Sequence, residues 1–191
     1  MVFIIRHPCA VLASLRRRPR FWEEFGRERH YRMFWERVVA GQPEARKRVR
    51  SRQGVIAAAC TDLEKQAVMW ALTTDLVARQ LERRGLPIFR YEDFYEEPFT
   101  ATRRLMAYLG EPAPRLHPAH LFVPSMTTLR TTHGLLRTEN DYAVHGERLF
   151  WQDVLNEDEI ATIMTIACAF DCDRFYSTDV AKTHFAQKKC T

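Results

Sequence analysis

One short run near the start of the chain constrains its fold more than any other feature. Val2 to Ile5 is unbroken, apolar, and mostly β-branched or aromatic, and it stops at Arg6-His7-Pro8. A run of that kind suits a strand buried on both faces, as in a parallel sheet, because an exposed face would call for alternating polar residues. Pro8 suits the first turn of a helix, where its missing N–H goes unused. The spacing predicts a helix to about Arg18, stopped by Pro19. Strand, tight turn and helix make half of a βαβ unit, so the expected class is α/β, a parallel sheet flanked by helices. In open α/β sheets ligands bind at the carboxyl ends of the strands. Arg6 stands at that end, and Ser14 follows two helical turns on. A guanidinium and a hydroxyl there could hold a phosphate through paired charge-assisted bonds. The plainer alternative is a surface ion pair beside a solvated hydroxyl.

The rest of the chain alternates in the same sense. Trp22, Phe25, Met33, Phe34 and Val38 recur near helical spacing, which predicts a helix from Phe21 to Ala40, interrupted at Gly41-Gln42-Pro43. Glu44 to Gln53 is highly charged and expected to be exposed. A long helix is predicted from about Ile56 to Arg84, with Gly85 in the left-handed position that closes helices. Pro87 to Tyr91 reads as a second strand, and Pro98 opens a helix closed by Gly110. Glu111 to Gly146 lacks a period and is expected to be a long functional loop. Asn156 and Glu159 have capping-box spacing, which predicts a helix to about Phe170. Residues 1–176 are thus read as one domain, and 177–191 as a polar tail.

Charge narrows the ligand class. The formal net charge is +5, and arginines cluster at 16–18 and within 46–52. That balance suits anionic ligands such as phosphate, sulfate, nucleic acid or an acidic polymer, or else a solvated helix face. The five cysteines are odd in number and scattered, which points to a reducing, cytoplasmic setting rather than a disulfide framework. Cys168 and Cys172 lie one turn apart, and His117 and His120 flank Pro118, but neither pair has the further ligands a zinc site needs. Glu92-Asp93 and Glu96-Glu97 could act as bases or metal ligands, or could simply favour a helix start. No apolar run is long enough to span a membrane, so no membrane span is expected. A helix-turn-helix or basic recognition helix is lacking too, so nucleic acid is not the expected partner.

Phe3-Ile4-Ile5-Arg6-His7-Pro8, with Ser14 eight residues after Arg6, resembles the 3′-phosphate-binding segment of sulfotransferases that use 3′-phosphoadenosine-5′-phosphosulfate (PAPS). There an apolar strand ends in Arg-Asx-Pro, and a Ser follows the Arg by eight. His7 departs from the usual Asp or Asn. Phe89-Arg90-Tyr91-Glu92-Asp93-Phe94 is similar to the Arg-Tyr-Glu-Asp segment of the same family, whose Tyr packs on adenine. The helix carrying Glu64 and Trp70, and Trp151 with the helix after it, also resemble family elements. The family often carries Arg-Lys-Gly before that Trp. Here the stretch is Val144-His145-Gly146, so only Gly146 matches, and Arg130, Arg137 and Arg148 are candidate substitutes.

The resemblance implies a partial P-loop-type three-layer fold, with PAPS as co-substrate. It implies Arg6 and Ser14 on the 3′-phosphate, Tyr91 on adenine, and Gly146 near the phosphate. The expected reaction is sulfuryl transfer to a hydroxyl or amine of a small-molecule or glycan acceptor. The glycine-rich loop that cradles the 5′-phosphosulfate is not found among the seven glycines, and no catalytic base can be assigned. The expectation is therefore a family member truncated at its N-terminus. The rivals are a non-catalytic fragment and a basic nucleic-acid-binding protein.

Overall fold

A computed structural model of the chain describes residues 2–16, 27–112 and 150–176. The apolar run forms strand β1 (Phe3–Ile5), and the second expected strand forms as β2 (Ile88–Arg90). They pair in parallel, with Phe3 opposite Ile88, Ile4 opposite Phe89 and Ile5 opposite Arg90. Ile5 and Phe89 are buried, but Phe3 is half-buried and Ile4 exposed, so the expectation of a strand buried on both faces is corrected: one face of β1 is open among the described residues. The ladder runs one residue further, because the Tyr91 N–H donates to the Ile5 carbonyl at 2.7 Å.

Helix α1 (Pro8–Arg16) follows β1 at once, with Pro8 at its first position, and buries Cys9, Ala10, Leu12 and Ala13. Helix α2 (Arg27–Phe34) continues into a π-helical segment, Trp35–Val39, where the Ala40 N–H reaches the Trp35 carbonyl at 2.9 Å. Residues 21–26 of the helix expected there lie outside the described residues. The charged stretch expected to be exposed forms helix α3 (Pro43–Ser51) and is mostly exposed, with Ala45 completely buried on its inner side. Pro43 sits where a helix tolerates it, and Arg48, on the inner side of α3, finds the Asp75 carboxylate rather than water.

The single helix expected from Ile56 to Arg84 is corrected to two, α4 (Gln53–Ala58) and α5 (Asp62–Arg83). A capping box causes the break. Thr61 Oγ1 accepts the Glu64 N–H at 3.2 Å, while Glu64 Oε2 accepts the N–H groups of Thr61 and Cys60 at 2.7 and 2.9 Å. Those bonds satisfy N–H groups that a new helix start would leave unpaired. The short helix α6 (Asp93–Glu96) precedes α7 (Pro98–Leu109), which Gly110 closes at φ 74°. Helix α8 (Glu157–Ala169) starts at the expected Asn156–Glu159 capping box.

The core lies where α1, α5 and α8 meet. Leu12, Val68, Leu72, Ile163, Phe170 and the ring of Trp151 are all buried in it. Alanines at 67, 71 and 167 leave room for close helix approach. Truncating a side chain such as Leu72 to Ala in a core of this kind costs about 2–5 kcal/mol. Arg16 clips α1 to α8 from outside, with a two-pronged contact to Glu159 at 2.5 and 3.0 Å. The described chain is mostly helical around one two-stranded parallel sheet, α/β in the coarse sense. Among the described residues no helix is long and apolar enough to cross a membrane.

Candidate functional site

Parallel pairing decides which residues share an edge. Since Ile5 lies opposite Arg90, the next residue of each strand, Arg6 and Tyr91, leaves the sheet at the same carboxyl end. The Arg6 guanidinium carbon lies 4.9 Å from the centre of the Tyr91 ring, within cation–π range. Both side chains are half-buried. Two residues 85 positions apart in sequence thus meet, as the strand–helix–strand reading expects.

His7 fills the turn from β1 into α1. Its Nδ1 accepts the Cys9 N–H at 3.2 Å, and its carbonyl accepts the Val11 N–H at 3.0 Å. His7 is therefore the N-cap of α1, and its ring nitrogen does what the side-chain oxygen of Asp or Asn does at such positions. The accepting Nδ1 assigns the ring proton to Nε2. The ring stacks on Trp151 with centroids 5.0 Å apart and meets the Tyr176 ring edge-on at 4.9 Å. Burial first, and the nearby Arg90 second, lower its pKa from 6.5 to about 4, so it is neutral at pH 7.

Glu92 closes the edge. Its Oε1 accepts the His7 backbone N–H at 2.7 Å. Burial raises its carboxyl pKa, against the opposing pull of the His7 N–H and of Arg90 and Arg6. Tyr176 is buried close by, and its phenol is pushed far up, by burial and then by the Glu92 charge. Neither Glu92 Oε2 nor the Tyr176 hydroxyl has a hydrogen-bond partner beyond the other among the described residues. Arg90 pairs with Asp93 at 3.2 Å, and its guanidinium lies over the Tyr176 ring at 5.7 Å. Glu92 and Asp93 are thus engaged with β1 and β2 rather than serving only as helix-start charges.

Beside β1 opens a cleft of about 580 Å³. Its wall is largely apolar, including Ile4, Leu15, Met33 and Trp70, with Arg6 and Arg37 as cations. Ile4 is 44% exposed there. Ser14 does not line this cleft. It is half-buried and stands roughly 9 Å along the axis of α1 from Pro8, at 1.5 Å per residue. The structure brings Arg6 and Tyr91 together, and Ser14 stands further along α1. Gly146, Arg130, Arg137, Arg148, His117 and His120 lie outside the described residues.

The basic run of α3 is partly internal. Arg48 pairs with Asp75 at 2.7 Å and with Asp171 at 2.6 Å, and Arg52 reaches Asp171 at 3.4 Å. Reading the whole run as an anion-binding face is corrected for these two. Cys172 is buried and donates to the Ala71 carbonyl at 3.4 Å, and burial pushes its thiol up to about 12. Glu64 is engaged in its capping box, and Trp70 lies 6.3 Å from Tyr176. Sequence reasoning missed the capping role of His7 and the link from Glu92. The signal for the first was present, since a side chain that can accept stood directly before Pro8. The second left no local trace. Comparison with models of known families, with curated proteins and with solved structures finds no match to this chain.

Proposed function

We propose that this chain binds the nucleotide half of 3′-phosphoadenosine-5′-phosphosulfate at the carboxyl edge of β1 and β2, as part of a sulfotransferase site. In this reading β1 and β2 belong to a P-loop-type three-layer sheet. Arg6 holds the 3′-phosphate, with Ser14 and the segment around Gly146 completing that pocket, and Tyr91 packs on adenine. The observation that carries it is the meeting of Arg6 and Tyr91, side by side at one strand edge, 4.9 Å apart. That edge is where α/β sheets take their ligands, and a fork-shaped cation beside an aromatic face suits a phosphate attached to a nucleoside.

Sulfuryl transfer from such a donor is an in-line displacement, and protein groups serve it by positioning and by stabilising charge on the bridging oxygen. This chain's share is the first of these. Arg6 and Tyr91 would fix the adenosine end, so that the 5′ end projects in a defined direction. The adjoining apolar cleft is the space for a small acceptor whose hydroxyl or amine meets the sulfuryl group. None of the seven glycines stands in the clustered spacing of a phosphate-cradling loop, so the chain alone is expected to bind adenosine 3′,5′-bisphosphate weakly and to transfer no sulfuryl group.

Calorimetry tests the reading. Wild-type chain and Arg6→Ala are titrated with adenosine 3′,5′-bisphosphate and with adenosine 5′-phosphate, which lacks the 3′-phosphate. Hydrogen bonds to a charged group contribute roughly 1.5–3 kcal/mol, so Arg6→Ala should weaken the bisphosphate about ten- to a hundredfold. Ser14→Ala should weaken it less, and the monophosphate should bind both forms nearly equally. Equal weakening of both nucleotides by Arg6→Ala would mean that Arg6 holds the fold and not a phosphate.

A further inference from the structure

Resting on this nucleotide reading, we propose that Glu92 is the positioning residue of the site: its carboxylate ties the backbone of His7 to the end of β2 and so holds Arg6 against Tyr91. The ladder between the strands ends with the Tyr91 N–H on the Ile5 carbonyl, at 2.7 Å. One residue later, the His7 N–H meets Glu92 Oε1, also at 2.7 Å. Arg6 lies between these two cross-strand bonds. On one side it is fixed by the main chain of Tyr91, on the other by the side chain of Glu92. The second bond does the work of a ladder rung where β1 has already turned into α1 and no backbone acceptor of β2 reaches.

A carboxylate is the strong acceptor for such an N–H, since bonds to ionised groups are shorter and stronger than neutral ones. It also brings a negative charge to an edge meant for a phosphate. The groups facing it temper that charge: Arg6 and Arg90 attract it, while the buried Tyr176 and the neutral ring of His7 limit its hydration. Asp93 is engaged by Arg90. The two roles of the carboxylate, acceptor and charge, can therefore be separated by substitution. Glu92→Gln keeps an acceptor oxygen at the same reach and removes the charge. Glu92→Ala removes both. Glu92→Asp keeps the charge one methylene short of His7.

The experiment uses the full chain and two kinds of readout. The first needs no nucleotide: hydrogen exchange of the His7 amide, and the Arg6 Nε–H resonance, which the Tyr91 ring shifts when the two are stacked. Both signatures should persist in Glu92→Gln and be lost in Glu92→Ala and Glu92→Asp. The second is titration with adenosine 3′,5′-bisphosphate. Glu92→Gln should bind at least as tightly as wild type, and Glu92→Asp and Glu92→Ala about tenfold more weakly. In an Arg6→Ala background the Glu92→Ala loss should vanish. If Glu92→Ala fails to fold, Glu92→Asp carries the same test. Unchanged His7 exchange and Arg6 shift in Glu92→Asp would overturn the clamp. So would an equal loss with and without Arg6, since Glu92 would then act on stability alone. A wild type that shows both signatures yet ignores the bisphosphate would leave the clamp standing and overturn the nucleotide reading instead.

Discussion

Two polar clusters are built into this protein, and they are finished to different degrees. One joins α3, α5 and the turn after α8. Asp75 is wholly buried, and each of its oxygens takes an arginine Nε at 2.7 Å, Oδ2 from Arg48 and Oδ1 from Arg79. The same two arginines reach on to Asp171, at 2.6 and 2.8 Å. Asp171 sits at φ 60°, in the left-handed position that ends α8, where glycine is the usual residue. There its carboxylate meets Arg48, Arg52 and Arg79, which hold its pKa below the usual value despite the opposing effect of burial. The other cluster lies at the carboxyl edge of the strands. There Glu92 Oε2 and the Tyr176 hydroxyl are buried with no hydrogen-bond partner beyond each other among the described residues, while Arg90 Nε has its ion pair with Asp93 at 3.2 Å. In the first cluster every carboxylate oxygen is paired and one buried nitrogen, Arg52 Nε, is not; a network so nearly complete holds a fold in one arrangement. Incompletely satisfied polar groups persist mostly where something other than stability is served. The first cluster is architectural, and the second, less fully paired, lies at the edge proposed to bind the nucleotide.

The sharpest way to break this comparison is to remove one partner from the first cluster. Asp75→Ala leaves Arg48 and Arg79 with a buried gap between them, and breaking a buried pair typically costs about 3–5 kcal/mol. Urea unfolding should show a loss of that size. Nucleotide titration of the remaining folded protein should be unchanged. A cost below about 1 kcal/mol would remove the distinction between the two clusters.

A smaller effect separates them by pH. His7 at the strand edge has its pKa lowered from 6.5 to about 4 by burial and Arg90. Above pH 6.5 the ring is neutral in both states and contributes no pH dependence. As pH falls from 6.5 towards 4 the unfolded ring takes up a proton that the native ring refuses, so stability is lost, on the order of 3 kcal/mol in all. Glu92, with its pKa raised, works the other way: the native carboxyl takes its proton first, which offsets part of the loss. Comparison with His7→Asn isolates the histidine, because the amide oxygen can cap α1 but does not titrate. The gap in unfolding free energy between wild type and His7→Asn should shift by about 3 kcal/mol, in favour of the variant, between pH 7 and pH 4. Parallel curves would show that His7 is accessible to protons and the edge is looser than its geometry implies.

The smallest effect asks whether the edge is truly unfinished. Tyr176→Phe removes a buried hydroxyl that faces the Glu92 carboxyl and has no other partner among the described residues, and it leaves the ring against His7. Stability should stay the same or rise by up to about 1 kcal/mol, since an unsatisfied buried group is a cost. A loss larger than that, read from thermal unfolding, would mean that the hydroxyl is bonded to Glu92 and that the edge is as fully paired as the first cluster.

Much of this protein follows from short-range sequence alone. The run Val2 to Ile5 and the turn residues after it determine β1 and α1, because β-branched packing, proline geometry and helix-end N–H groups act within a few positions. The caps at Asn156 and Gly110 are local for the same reason. One local signal outweighs the expected single helix from Ile56 to Arg84: the Thr61–Glu64 box ends one helix and starts another. The shared edge of Arg6 and Tyr91 was also legible, since a helical crossover between two strands makes them parallel and sends both carboxyl ends the same way. Tertiary structure alone decided which side chains complete that edge. His7 takes its place from Trp151 and Tyr176, and Glu92 finds an N–H 85 residues away. Arg48 finds Asp171 across 123 residues. A buried carboxylate or ring takes whatever partner the packed elements bring within about 3–5 Å. That distance is set by how helices and strands pack together, which no window of neighbouring residues encodes.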